Sequence, residues 1–375
     1  MFRLIVIFVT MGFYFPQSFA INLNKGHGAL LYDTNYSGGA PSSTPTNSPG
    51  QWISNINAFN VGAQALSKIN RLYPYSGNIS MTCTVVADCI YSGSGQNVFV
   101  GYSNNNFGPA SVAAYRSAFP QALILAIIDA DTTTLPLLSS NAVGVGIANE
   151  LTEQMCSDPN VDGVFFDLEP FNFDQNQGQF ALFKQISVNF ASSQCIDGQH
   201  PKGRIFAIFM NPNKVNDWSV VPGMLGQNGY LVVAAYDIND TTPPRPTPYQ
   251  LYTSSVTGKI QGFMDPSSQK YQIPYAVAVP AASSFSEFEQ FGYYNASYPN
   301  DFQLQTDYTT QGFTQLTYIQ TVRGILLKNA TSAYYLGMDY WSWGQYKSPV
   351  PKQGQLLMPN LPPANVVQYL QQYGG

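Results

Sequence analysis

Charge is scarce in this chain. Charged side chains make up 10% of the 375 residues, against about a quarter in an ordinary globular protein. The polar surface must therefore be built from Asn, Gln, Ser, Thr and Tyr. The net charge of -5 leaves no basic stripe, which excludes nucleic acid as the expected partner. Histidine is scarcer still: His27 and His200 are the only two. That shortage, with no C-x-x-C, argues against a zinc site. It also argues against Ser-His-Asp and Cys-His hydrolases, and no G-x-S-x-G elbow is present. No metal and no cofactor are expected. No G-x-G-x-x-G follows an early strand, so a dinucleotide fold is disfavoured.

Long apolar runs are missing after the first twenty residues. Arg3 precedes an uncharged apolar stretch over 4–15, and small Ser18 and Ala20 follow. This is the pattern of a secretory signal peptide over 1–20, cleaved after Ala20. Nothing later is long and apolar enough to span a membrane. The mature chain, 21–375, is expected to be exported as one domain. Its four cysteines fit an oxidising compartment. They allow three pairings. The local spacing favours Cys83 with Cys89, and Cys156 with Cys195.

What is present is an alternation of short apolar runs and helical patterns. Strands are expected at 28–32, 53–61, 122–129, 161–169, 204–210, 231–236, 275–279 and 334–343, with a further strand at 97–102. Helices are expected at 109–119, 142–156, 179–192, 313–328 and 364–373. Near-continuous apolar strands interleaved with helices argue for a parallel sheet covered on both faces. Eight such units fit a (β/α)8 TIM barrel with loop insertions. A doubly wound open sheet is the alternative.

In such a barrel the chemistry belongs at the C-terminal ends of the strands. Strand three ends in Asp129 and Asp131. Strand five ends in Met210 and Asn211, and strand six in Tyr236 and Asp237. Strand eight ends in Asp339, Trp341 and Trp343, which share a face by alternation. The most specific signal is Asp162-Gly163-Val164-Phe165-Phe166-Asp167-Leu168-Glu169. Asp167 and Glu169 point the same way, about 6–7 Å apart along the backbone. A protonated acid beside an ionised neighbour is the equipment of glycoside hydrolysis.

These residues resemble the D-G-x-D-x-D-x-E signature on strand four of family 18 glycoside hydrolases, the chitinases and endo-β-N-acetylglucosaminidases. Tyr236-Asp237 resembles that family's strand-six Tyr-Asp. The 337–342 segment is similar to the strand-eight stretch whose Trp floors the sugar site. Ala58-Phe59 is weakly similar to its strand-two pair. Three departures stand out. Phe165 occupies the place of the middle Asp, the strand-three S-x-G-G pattern is absent, and Asp339 stands where an apolar residue is common.

The resemblance implies a secreted, chitinase-like glycosidase acting on N-acetylglucosamine-containing oligo- or polysaccharides by a substrate-assisted retaining mechanism. Glu169 would be the general acid and base, Asp167 would orient and stabilise the substrate's acetamido group, and Tyr236 would hydrogen-bond it. Trp341 would stack under the ring, with Asp237, Asp339, Trp343 and Asn211 as further substrate contacts. Two rival readings remain at this level. One is a barrel glycosidase of another family, using Glu169 with Asp237 or Asp339. The other is a non-catalytic, lectin-like glycan-binding barrel.

Overall fold

Arg71, Gly28 and Asp339 lie in one row across three adjacent parallel strands, and that row closes a cylinder. The structure, a computed structural model, describes residues 23, 25–31, 36–37, 40–41, 49–85, 88–89, 98–102, 109–130, 138, 140–168, 177–235, 257–280, 316, 319–320, 323–325, 334–341, 344–346, 358–360 and 364–373. Eight parallel strands form the barrel: β1 (His27–Leu31), β2 (Ile69–Met81), β3 (Leu123–Ala130), β4 (Gly163–Asp167), β5 (Ile205–Met210), β6 (Gly229–Ala234), β7 (Tyr275–Pro280) and β8 (Tyr335–Trp341). Each pairs with the next, and β1 pairs with both β8 and β2. This is the expected (β/α)8 barrel, and the open-sheet alternative falls with the closure.

The helices follow the same logic of burial. The α-helices whose bounds lie among the described residues are α1 (Pro49–Gly62), α2 (Pro109–Ala118), α3 (Asn141–Ser157), α4 (Gln177–Phe190), α5 (Val221–Leu225), α6 (Asp265–Tyr271) and α7 (Ala364–Tyr373). Alternation divides the strand side chains in two. Val164 and Phe166 of β4 face outward into the layer shared with Leu182, Phe183 and Ile186 of α4. Leu30, Tyr73, Leu125, Ile127, Phe165, Phe209 and Tyr230 fill the interior. The barrel is a packed core, as its geometry requires.

Two sequence expectations are corrected here. The strand expected over 53–61 is part of α1. Its buried positions Trp52, Ile56 and Phe59 recur at helical spacing. The Ala58-Phe59 likeness to a second strand therefore rests on a helix. The true second strand is β2, with Arg71, Pro74 and Gly77 inside it. A register shift between Tyr75 and Gly77 absorbs the irregularity. The helix expected over 313–328 and the signal peptide lie largely or wholly outside the described residues.

Above the level of β1, β2 continues. Residues Asn78–Met81 pair with an antiparallel strand, Val98–Gly101, on one flank, and Asn78 and Ile79 pair with β3 on the other. The Cys83–Cys89 disulfide follows this extension, with the two Cα atoms 5.3 Å apart. Cys156 at the end of α3 is bonded to Cys195 just after α4 (Cα–Cα 4.9 Å). Both expected pairings are present. Among the described residues no helix is long and apolar enough to cross a membrane.

Candidate functional site

The signature strand has two ends with different work. Asp162, just before β4, is at the foot of the barrel. It accepts from the backbone N–H of Ile124 (2.7 Å), from Arg116 Nη2 (2.5 Å) and lies 3.1 Å from His200 Nε2. Burial pushes its carboxyl above the usual range, and Arg116 pulls against that. Gly163 follows with a φ of 150°, and a Cβ there would collide with the carbonyl of Ile205 on β5. The Asp-Gly of the motif thus anchors the strand rather than facing the mouth.

Asp167 is at the other end, where β4 emerges. Its ladder partner is Asp129 of β3. Two residues below Asp167 is Phe165, fully buried in the interior cluster. Its ring packs against Tyr73 (centroids 4.8 Å apart) and Phe209 (6.3 Å). Burial of such a ring contributes roughly 1.5–3 kcal/mol, so Phe165 makes a dry, aromatic floor under Asp167. Tyr75 of β2 donates its hydroxyl to Asp129 Oδ2 at 3.2 Å.

Asn211 follows β5 as expected. Its side-chain oxygen accepts from Asn213 N (3.2 Å) and caps the short Pro212–Lys214 turn. Trp341 ends β8, with Pro280 as its ladder partner. Glu169, Tyr236, Asp237 and Trp343 lie outside the described residues, as does Asp131.

Asp339 departs from its expected place on the rim. It is fully buried inside the barrel and paired with Arg71 Nη2 at 2.6 Å. Arg71 Nε also approaches Asp339 Oδ1 (3.2 Å), and Tyr73 Oη donates to Oδ2 (2.8 Å). Tyr73 spends its one proton on Asp339, so the Tyr230 hydroxyl 2.8 Å away donates to Tyr73. Burial pushes the Asp339 carboxyl up, while Arg71 and the Tyr73 hydrogen bond hold it down. Burial alone would lower Arg71, but Asp339, Tyr73 and Tyr230 raise it above its usual value. Both tyrosines are raised, chiefly by burial, and stay protonated as donors. The physical reason for the correction is depth. Alternation gives the face of Asp339 but not its buried partner, and Arg71 sits on the strand that sequence reading misplaced.

With this geometry in view, solved structures supply a comparison. A class V chitinase from Pseudomonas fluorescens superposes with a TM-score of 0.51 at 9% identity, covering 92% of this chain and 98% of that one. An immunomodulatory active chitinase from Trichuris suis gives a TM-score of 0.50 at 11% identity, covering 85% and 92%. The chain shares its fold with solved chitinases. No family model matches it. No curated protein matches it in sequence.

Proposed function

We propose that the protein is a secreted glycosidase, one barrel domain over 21–375, that hydrolyses β-linked N-acetylglucosaminides with Glu169 as general acid. The observation that carries this reading is the run from Phe165 to Asp167 at the mouth of a barrel shared with chitinases. Glu169 is the next residue of that alternation. It would protonate the glycosidic oxygen and later take a proton from water. The substrate's acetamido oxygen would attack the anomeric carbon. Asp167 would orient the acetamido N–H and oppose its developing positive charge, which the aromatic floor would leave poorly screened. Tyr236 would hydrogen-bond the acetamido oxygen, and Trp341 would offer the sugar an apolar face. Asn211, Asp237 and Trp343 would complete the rim. The two disulfides fit an exported protein.

The deciding experiment is cleavage of chitin oligosaccharides and of high-mannose glycopeptides by the wild type and by Glu169→Gln. Loss of a general acid costs about 10²–10⁴ in rate, with sugar binding retained. Wild-type activity in Glu169→Gln would overturn the assignment. Binding of these sugars without any cleavage would make the protein a glycan-binding barrel.

A further inference from the structure

One surplus residue in β2 decides where Asn78 points. Tyr73 and Tyr75 pack into the barrel interior. Strict alternation would carry that face on to Gly77 and turn Asn78 outward. The ladder to β3 runs otherwise. Tyr75 pairs with Ile127, and Gly77 rather than Ser76 pairs with Ile128. Ser76 is the extra residue of a bulge, buried, with its hydroxyl donating to the Pro74 carbonyl at 2.8 Å. Past the bulge the faces are exchanged. Ile79 joins Ile128 in the outer layer under the helices, and Asn78 becomes the ladder partner of Asp129. Bulges beside functional sites serve to re-aim a side chain in this way.

The outcome is a row of three polar side chains, Asn78, Asp129 and Asp167, across the mouth ends of β2, β3 and β4. All three are half-buried, whereas Tyr73, Ile127 and Phe165 on the same face below them are fully buried. Among the described residues the Asn78 amide has no hydrogen-bond partner. Its ladder partner on the other flank is Gly101, which has no side chain to cover it. The amide carries both a donor and an acceptor and no charge, which suits neutral hydroxyl and amide groups.

We propose that Asn78 is a substrate-binding residue that contacts the sugar unit next to the one held at Asp167. The inference rests on the function proposed above. Two strand spacings, about 10 Å, separate β2 from β4, which is wider than a single pyranose ring. From there Asn78 reaches a neighbouring unit of the glycan and not the reacting carbon. Its N–H donates to a ring hydroxyl or an acetamido oxygen, and its carbonyl accepts from a hydroxyl or an acetamido N–H. The ligand class is a neutral oligosaccharide of two or more units. A contact made equally in the ground state and the transition state lowers KM and leaves kcat unchanged.

The test is steady-state kinetics and titration calorimetry of the full mature chain with chitotetraose. The protein is made in bacteria, so that the acceptor pattern Asn78-Ile79-Ser80 carries no glycan. Asn78→Ala should raise KM about three- to tenfold, the worth of one neutral hydrogen bond, with kcat within about twofold. Asn78→Thr suits a strand and falls short of the amide's reach. It should behave alike, and it decides if the alanine variant does not fold. Wild-type KM in either folded variant would overturn the proposal. A fall in kcat at unchanged KM would overturn it as well, because it would place Asn78 at the reacting centre. If the wild type binds chitotetraose without cleaving it, hydrolysis falls as the proposed function. The same rise is then expected in Kd, and an unchanged Kd would sink Asn78 alone. A wild type that neither binds nor cleaves the sugar would sink both.

Discussion

The ion pair between Arg71 and Asp339 spans directly over Gly28. Arg71 and Asp339 are the ladder partners of Gly28 on its two sides, so their side chains meet above a residue that has none. A Cβ at Gly28 would strike the Asp339 carboxylate and the Tyr73 ring. The seam that closes the barrel is therefore an electrostatic contact across a glycine.

Asp339→Asn should be destabilising rather than selectively damaging to a sugar site. It leaves Arg71 buried without a counter-charge, a loss of about 3–5 kcal/mol. The double variant Arg71→Met/Asp339→Leu should recover most of it, because apolar side chains can replace a buried pair. Denaturant midpoints of the three proteins would report this. Asp339→Asn with wild-type stability would mean that the pair does not hold the seam.

His27 should make the protein acid-sensitive. It is fully buried on β1, with Nδ1 3.1 Å from the Met338 carbonyl, and burial brings its pKa from 6.5 down to about 3. A folded pKa below the unfolded one gives stability that is complete above 6.5 and is lost as pH falls towards 3. Between pH 7 and pH 5 the loss is about 2 kcal/mol. Asp162 and Asp339 are shifted upward and act in the opposite sense. The difference between wild type and His27→Asn, measured at both pH values, isolates the histidine. Equal pH dependence in the two proteins would contradict this account.

The two disulfides should differ in weight. Cys156–Cys195 spans 39 residues and Cys83–Cys89 spans 6. Loop-closure entropy makes the first worth about 4 kcal/mol and the second about 2. Paired Cys→Ala variants, unfolded in denaturant, should rank in that order. A larger loss on removing the short loop would show that native-state contacts, not chain entropy, set the stabilisation.

Much of the barrel was legible because β3 to β8 are short, nearly continuous apolar runs with polar residues at their ends. The face of Phe165 and Asp167 followed from alternation alone. β2 was not legible: its sequence holds a charge, a proline and a glycine, and it shows no strand pattern until Asp339 is seen to neutralise Arg71. α1 reads as a strand because Ile53, Ile56, Phe59 and Val61 are scattered through a short uncharged segment, and only burial separates its helical period from a strand's. Tyr75 escaped notice with β2. The depth of Asp339 escaped for a different reason, since alternation tells a side but not a layer.

Among the described residues the rim of the barrel is uneven, because β2 overhangs its neighbour β1. Met81 stands three residues past Asn78, the partner of Asp129, or about 10 Å higher. The antiparallel strand Val98–Gly101 thickens that rise over the short β1. In the function proposed above, a glycan at Asp167 would meet this parapet on its β2 flank.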